Sequence, residues 1–329
     1  MLEIKDLEIA YRSHGGLVRA VDGVSLTVRA GQTLGLVGES GCGKSSLARA
    51  VMRLVEPAAG TIRWNGRDAT AATGRDLAEY RSSVQMIFQD PSSSMDPRFS
   101  VSRIIDEPLT VDRTLGKLER RARVAALMDD VGLATHLKDR YPHELSGGQR
   151  QRVAIARALA LKPKLVVLDE AVSALDVSLQ AQILNLLVDL QREHGLAYLF
   201  VSHDIGVVEH ISDAIAVMYL GKIVETGDHE QVVHRPAHPY TQALMRAVPV
   251  MDPRRRSLAR KDLLGGDVPS PFNPPPGCAF HTRCPLASEI CRRETPELRP
   301  VAEGRTVACH EVERLLRVAP KQDMRLVNA

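Results

Sequence analysis

The sequence predicts an α/β fold built on a largely parallel sheet, and three observations lead there. Short apolar runs at Thr33–Val37, Leu165–Leu168 and Tyr198–Val201 lack polar alternation and fit strands buried on both faces. Helical patterns, notably Ser46–Leu54, Lys117–Val131 and Gln149–Leu161, fall between and around those runs. A glycine-rich string, G-x-x-x-x-G-K-S over Gly38–Ser45, joins the first strand to the first helix.

The remaining elements follow from local patterning. Before the glycine string, LEIKDLEIAY and VDGVSLTV alternate in character, as a half-exposed antiparallel sheet would. Ala214–Leu220 reads as one more buried strand. Of the 19 prolines, 13 lie at or after Pro236 and five crowd into Pro269–Pro276, so the expected division is 1–235 and 236–329. Regular periodicity fades in the second part, which is expected to be small and irregular and to depend on its cysteines for stability.

Composition narrows the function classes. The 329 residues are 44% hydrophobic and 25% charged, which excludes wholesale disorder and a disulfide-dense miniprotein. A net charge of +3 gives no case for nucleic acid as a partner. No apolar run reaches membrane-spanning length, and the first residues lack the order of a secretion signal, so a cytoplasmic protein is expected. The cysteines then read as thiols or metal ligands rather than disulfides.

The chemistry concentrates at three places. In the glycine string, Gly38, Ser40, Gly41, Cys42 and Gly43 let backbone N–H groups wrap phosphates, while Lys44 reaches their charge. Ser45 can ligate Mg²⁺, and Ser46 opens the helix whose positive end faces the anion. The strand Leu165–Leu168 delivers Asp169, suited to a Mg²⁺ shell, and Glu170, suited to activating water. Tyr198–Val201 leads to His203, either a structural hydrogen-bonding residue or a donor to a γ-phosphate. Leu145-Ser146-Gly147-Gly148-Gln149 opens a helix with Ser146 as its cap. That makes a second anion-receptive helix start, with Arg150, Arg152 and Arg157 on the helix body.

The order of these motifs, with Gln89 in Met86-Ile-Phe-Gln-Asp90 and Ser173-Ala-Leu-Asp176, resembles the ATP-binding subunits of ABC transporters over residues 1–235. The resemblance implies a P-loop ATPase core with a mixed sheet, an antiparallel β subdomain and a helical signature subdomain at about 90–160. It implies that Gln89 links the Mg²⁺ site to the helical subdomain, that Glu170 and His203 are catalytic, and that Ser173–Asp176 lies at a subunit interface. Tyr11 stands where the family places an aromatic that stacks on adenine; a tyrosine on an exposed sheet edge is the alternative. It further implies a sandwich dimer in which Ser146–Gln149 of one subunit closes over ATP held by the other.

Asp90–Arg98, His238–Leu244 and the tail through Cys309-His310 resemble importers of the oligopeptide/dipeptide class, whose relatives also carry nickel or glutathione. Expected partners are a second, different ATPase subunit, two membrane permease subunits docking near 89–98, and an extracytoplasmic solute-binding protein. The chain would sit at the cytoplasmic face of the membrane. A soluble ABC ATPase acting on nucleic acid or ribosomes is the competing reading, disfavoured by a single cassette without sustained heptads.

Cys278, Cys284, Cys291 and Cys309 read C-x5-C-x6-C-x17-C. Structural zinc usually uses tighter pairs, and an iron–sulfur cluster also takes four thiolates. The resemblance implies a [4Fe–4S] cluster, with Zn²⁺ and free thiols as alternatives. Cys42, inside the phosphate loop, is expected to be inert. The basic run Arg254–Arg256 with Arg260 and Lys261 reads as a solvated stretch or a contact for anionic lipid or permease loops.

Overall fold

The computed structural model describes residues 1–13, 16–111, 114–247 and 267–318; the basic run at 254–261 lies outside the described residues. Two sheets carry the fold. Strands β1 (Leu2–Ser13), β2 (Gly16–Val28), β4 (Ala59–Trp64) and β5 (Arg67–Asp68) form an antiparallel sheet in the order β2-β1-β4-β5. On β1 the buried residues are Leu2 and Ile4, then Leu7 and Ile9. The change of phase between them requires one extra residue, and the register with β2 and with β4 shifts there. Asp6 takes a left-handed φ of 47° at that bulge, and its N–H donates to Ser25 Oγ.

The main sheet has eight strands: β3 (Thr33–Val37), β6 (Val84–Ile87), β7 (Leu165–Asp169), β8 (Ala197–Ser202), β9 (Ala214–Tyr219), β10 (Lys222–Asp228), β11 (Arg299–Ala302) and β12 (Arg305–Val307). Their order is β11-β12-β10-β9-β3-β8-β7-β6, parallel from β9 through β6 and antiparallel from β9 to β11. Side chains alternate between two cores. Leu165, Val167, Leu199, Val201, Ala216 and Met218 pack toward the antiparallel sheet and helix α1 (Lys44–Val51). Val166, Leu168, Tyr198, Phe200, Ile215 and Val217 pack toward the helices on the other face. Such strands must be apolar throughout because water reaches neither face.

Helix α2 (Gly74–Ser83), which leads into β6, packs Tyr80 and Leu77 into the first core, and the helical face is built by α3 (Val101–Asp106), α4 (Lys117–Asp130), α5 (Gly147–Leu159), α6 (Val177–His194) and α7 (Ile205–Ile211). Ile183, Leu184, Leu187 and Leu190 show why α6 forms, since this spacing puts one apolar stripe against the sheet. Helix α5 packs on α3, α4, α6 and β6. Its arginines are used in packing: Arg150 donates to Ser92 Oγ at 2.9 Å, Arg157 donates to Ser94 Oγ at 2.8 Å, and Arg152 donates to Val131 O at 2.5 Å. They fasten the loop after Gln89 and the end of α4 to the body of α5.

The C-terminal part is irregular over much of 267–298 but is more tightly integrated than its proline content suggests. Strands β12 and β11 extend the main sheet through Thr226↔Thr306 and Glu225↔Val307. Phe280 enters the helical-side core against Tyr219 and Tyr240. Glu225, fully buried, accepts from Ala237 N–H and His238 N–H at 2.9 Å each and from Arg305 at 2.6 Å. Its site is thus a carboxylate saturated with donors, the one arrangement that makes a buried charge tolerable. The expectation of a part with little core of its own, dependent on its cysteines for stability, is therefore met here by a shared sheet and a shared core as well. Truncation by Glu225→Ala leaves Arg305 buried without its partner. The unfolding free energy from urea titration is expected to fall by about 3–5 kcal/mol.

Candidate nucleotide site

The turn from β3 into α1 is shaped by what surrounds it. Gly43 has a φ of 110°, and a Cβ there would stand 1.9 Å from Ala20 O on β2. A Cβ on Gly38 would stand 2.2 Å from Met218 O at the end of β9. The loop therefore runs in a slot between two backbones, and only hydrogen side chains fit at these points. No side chain caps the start of α1. Its opening residue, Lys44, is 4% exposed, and the ammonium donates to Gly38 O at 2.8 Å and Glu39 O at 3.0 Å. A cation thus lies inside a curl of backbone at a helix N-terminus, a setting that favours phosphate. Ser40 and Gly41 are exposed on the curl, and Ser46 follows Ser45 in the first turn of α1. Cys42 is buried, and burial pushes its thiol up, opposed by the Lys44 charge.

The carboxyl end of β7 meets this loop. Ser45 Oγ donates to Asp169 Oδ1 at 2.8 Å. Burial lifts the Asp169 carboxyl above its ordinary range; the Ser45 hydrogen bond opposes that rise and the Glu170 charge adds to it. A hydroxyl and a carboxylate are hard oxygen donors, so this pair fits Mg²⁺. Glu170 takes a φ of 50°, a conformation costing a non-glycine residue about 1–2 kcal/mol. Its N–H donates to Val201 O at 2.9 Å, and Ser173 N–H and Oγ both donate to its carbonyl, so the strained residue is fixed on both sides. Its carboxylate is fixed too: Gln89 Nε2 donates to Oε2 at 2.9 Å, and His203 Nδ1 lies 3.3 Å from Oε1. Ser45, Gln89, Asp169, Glu170 and His203 are brought together from the ends of four strands of one sheet, the location where open α/β sheets bind ligands.

The other expected residues have separate settings. Ser146 Oγ accepts from Gln149 N–H at 3.2 Å, and Gln149 Oε1 accepts from Ser146 N–H at 2.9 Å, a closed capping box at the head of α5. Ser146 and Gly147 are exposed, while a Cβ on Gly148 would press 3.0 Å from Leu179. Asp176 caps α6 by accepting from Leu179 N–H at 3.0 Å. Tyr11, 37% exposed, sits near the end of β1 opposite Val18.

Comparisons with known proteins agree with this geometry. Residues 21–173 match the ABC transporter family, and residues 224–291 match the oligopeptide/dipeptide transporter C-terminal region family. The oligopeptide transport ATP-binding protein OppF of Salmonella typhimurium is 50% identical over 96% of this chain and 97% of its own length. A probable peptide ABC transporter ATP-binding protein, y4tS, of Sinorhizobium fredii is 53% identical over 91% of this chain and 84% of its own. Among solved structures, the dimeric post-hydrolysis state of the ATP-binding cassette MJ0796 with ADP and Pi superposes with a TM-score of 0.64. It is 27% identical and covers 70% of this chain and 99% of that one. The chain is an ABC transporter ATP-binding protein.

In this ATP-binding protein the phosphate loop has a third wall that sequence reasoning missed. Glu39 N–H donates to Tyr240 Oη at 2.9 Å, and Arg283 donates two hydrogen bonds to the Glu39 carboxylate, at 2.8 and 3.0 Å. Tyr240 and Arg283 both stand in motifs that are legible as sequence, but no local signal joins them to a residue some two hundred positions earlier.

Cys278, Cys284, Cys291 and Cys309 line one cavity, together with His238, Phe280, His281 and Glu311. Burial, with the neighbouring cysteines adding to it, pushes Cys278 up to about 11 and Cys309 up to about 12. These are thiols that a thiophilic cation would convert to thiolates. Yet among the described residues no group of three or more His, Cys, Asp or Glu stands ready to hold a metal ion. The sulfurs line one space without forming a coordination shell, so no preformed site for the expected cluster stands among the described residues.

Gly43→Ala must move either α1 or β2 to make room. It is expected to abolish Mg·ATP binding, measured by calorimetric titration, and to lower the thermal midpoint in the same preparation.

Proposed function

We propose that this ATPase drives peptide import through a separate membrane permease, working at the cytoplasmic face of the membrane with a second, different ATPase subunit. Peptide as the solute is supported by the names of the relatives and by the match of residues 224–291 to the oligopeptide/dipeptide transporter C-terminal region. Among the described residues no helix is long and apolar enough to cross a membrane, so the pore belongs to other chains in this reading. Permease subunits would dock near 89–98, and a solute-binding protein outside would select the peptide.

The observation that carries the catalytic reading is the engagement of both Glu170 carboxylate oxygens, by Gln89 and by His203, beside the Ser45–Asp169 pair. Lys44 and the loop N–H groups hold the phosphates, and Tyr11 stacks on adenine. Ser45 and Asp169, with Gln89, would hold Mg²⁺, which neutralises charge on the phosphate oxygens. Glu170 accepts a proton from the attacking water as its oxygen bonds to the γ-phosphorus; the bond to ADP breaks and ADP leaves as the anion. His203, 54% exposed, has freedom to donate to the γ-phosphate, and Gln89 keeps the carboxylate aimed.

Ser146, Gly147, Gly148 and Gln149 act in trans in this reading. They are presented at an exposed helix start, and a partner's phosphates would lie between two helix N-termini. Asp176 and its loop would meet the partner at the same seam. For the cysteines, the resemblance to the peptide-importer class favours a [4Fe–4S] cluster, with Zn²⁺ or free thiols as the alternatives.

Glu170→Gln keeps the shape and removes the base. Phosphate release by the assembled transporter is expected to fall about 10²–10⁴-fold while Mg·ATP binding is retained; near-normal release would remove Glu170 from this role. Anaerobically purified protein is expected to be brown with about four iron atoms per chain. Colourless protein with one zinc, or with no metal, would overturn the cluster.

A further inference from the structure

We propose that the C-terminal part positions the phosphate loop through Arg283 and Tyr240, so that the cysteine-bearing lobe and nucleotide binding are energetically coupled. The inference rests on the reading of 38–45 as the phosphate site and adds a function for residues outside the cassette.

Four hydrogen bonds converge on one loop residue. The Glu39 side chain receives both arms of the Arg283 guanidinium, its N–H is taken by Tyr240, and its carbonyl receives Lys44 Nζ at 3.0 Å. Arg283 is therefore one residue removed from the ammonium that meets the phosphates. This pair is no loose surface contact. The Arg283 side chain is 5% exposed and lies over the rings of Tyr219 and Phe280, at 5.9 Å from each. A two-pronged charge-assisted bond in such a setting fixes direction as well as distance. Tyr240, fully buried, packs its ring at 4.6 Å and a 54° tilt against Tyr219, which closes the frame.

The lobe end of this strut is equally constrained. Arg283 immediately precedes Cys284, and Phe280 lies two residues after Cys278, so the cavity of the cysteines and the base of the strut are one short segment. Arg283 N–H donates to Phe280 O at 3.0 Å, and Cys278 N–H donates to Cys291 O at 2.8 Å. Residues Val268–Pro271 of the linker also flank Glu39–Cys42 across a cavity of about 230 Å³. A shift in the cysteine segment therefore moves the guanidinium, and Glu39 with it. By reciprocity, nucleotide that orders the loop must tighten the lobe.

The test is a double-mutant cycle on the full-length chain, reading the dissociation constant for Mg·ATP and hydrogen exchange at 38–45. Arg283→Gln and Glu39→Gln are each expected to weaken Mg·ATP about tenfold and to speed exchange in the loop, with the double variant no weaker than either single. In the assembled transporter the same variants should raise KM for ATP while kcat stays within about twofold, a split that general destabilisation would not produce. Arg283→Lys, which keeps charge but not the fork, should recover only part of the affinity. Unchanged affinity in both single variants, or losses that simply add in the double, overturns the proposal. Should Arg283→Gln fail to fold, Glu39→Gln decides alone, since it leaves the lobe sequence intact. If the parent chain does not bind Mg·ATP, the phosphate-loop reading fails instead, and the two failures are separable.

Discussion

Burial of β3, β7 and β8 on both faces is the constraint from which the site follows. Strands sealed between two cores cannot slip by one residue, because a slip would exchange the side chains meant for each core. Leu165 and Val167 face α1 and the antiparallel sheet, and Val166 and Leu168 face the helices. With that register locked, the polar groups delivered at the strand ends are the loop before Lys44, then Asp169 as the last residue of β7 with Glu170 after it, then His203. The apolar interior thereby acts as a jig for polar groups at its rim, and the Ser45–Asp169 bond is the visible sign that the ends align.

At that rim, stability has been exchanged for placement. Glu170 occupies a backbone region that its side chain disfavours, and Asp169 carries a carboxyl that burial pushes toward neutrality. Each is held by neighbours on several elements: Val201 and Ser173 fix the Glu170 backbone, while Gln89 and His203 fix its carboxylate. Arg150 and Arg157 tie the stretch after Gln89 to the helix headed by Ser146. A displacement of the loop at 90–98 thus reaches both the Glu170 carboxylate, through Gln89, and the helix headed by Ser146.

The C-terminal part belongs to the same machine. It adds β12 and β11 to the sheet, places Phe280 in the larger core, and meets the phosphate loop at Glu39. Its buried Glu225–Arg305 pair and its neutral His238, whose pKa burial lowers to about 3, are features of a true interior. The four cysteines then sit beside an existing core and need not supply all of its stability.

The sequence alone determined the α/β class, the phosphate loop, the acidic strand and the capped helix at Ser146, because each depends on spacing within a few residues. The bulge near Asp6 was latent there too, in the change of phase between Ile4 and Leu7. Only the tertiary structure decided that Gln89 and His203 hold the two oxygens of Glu170, that Arg150 and Arg157 serve packing, and that Arg283 grips Glu39. These pairs are distant along the chain, and what joins them is the order of strands in one sheet. Local patterns of polarity specify whether a strand is buried; they do not specify which strand lies beside it.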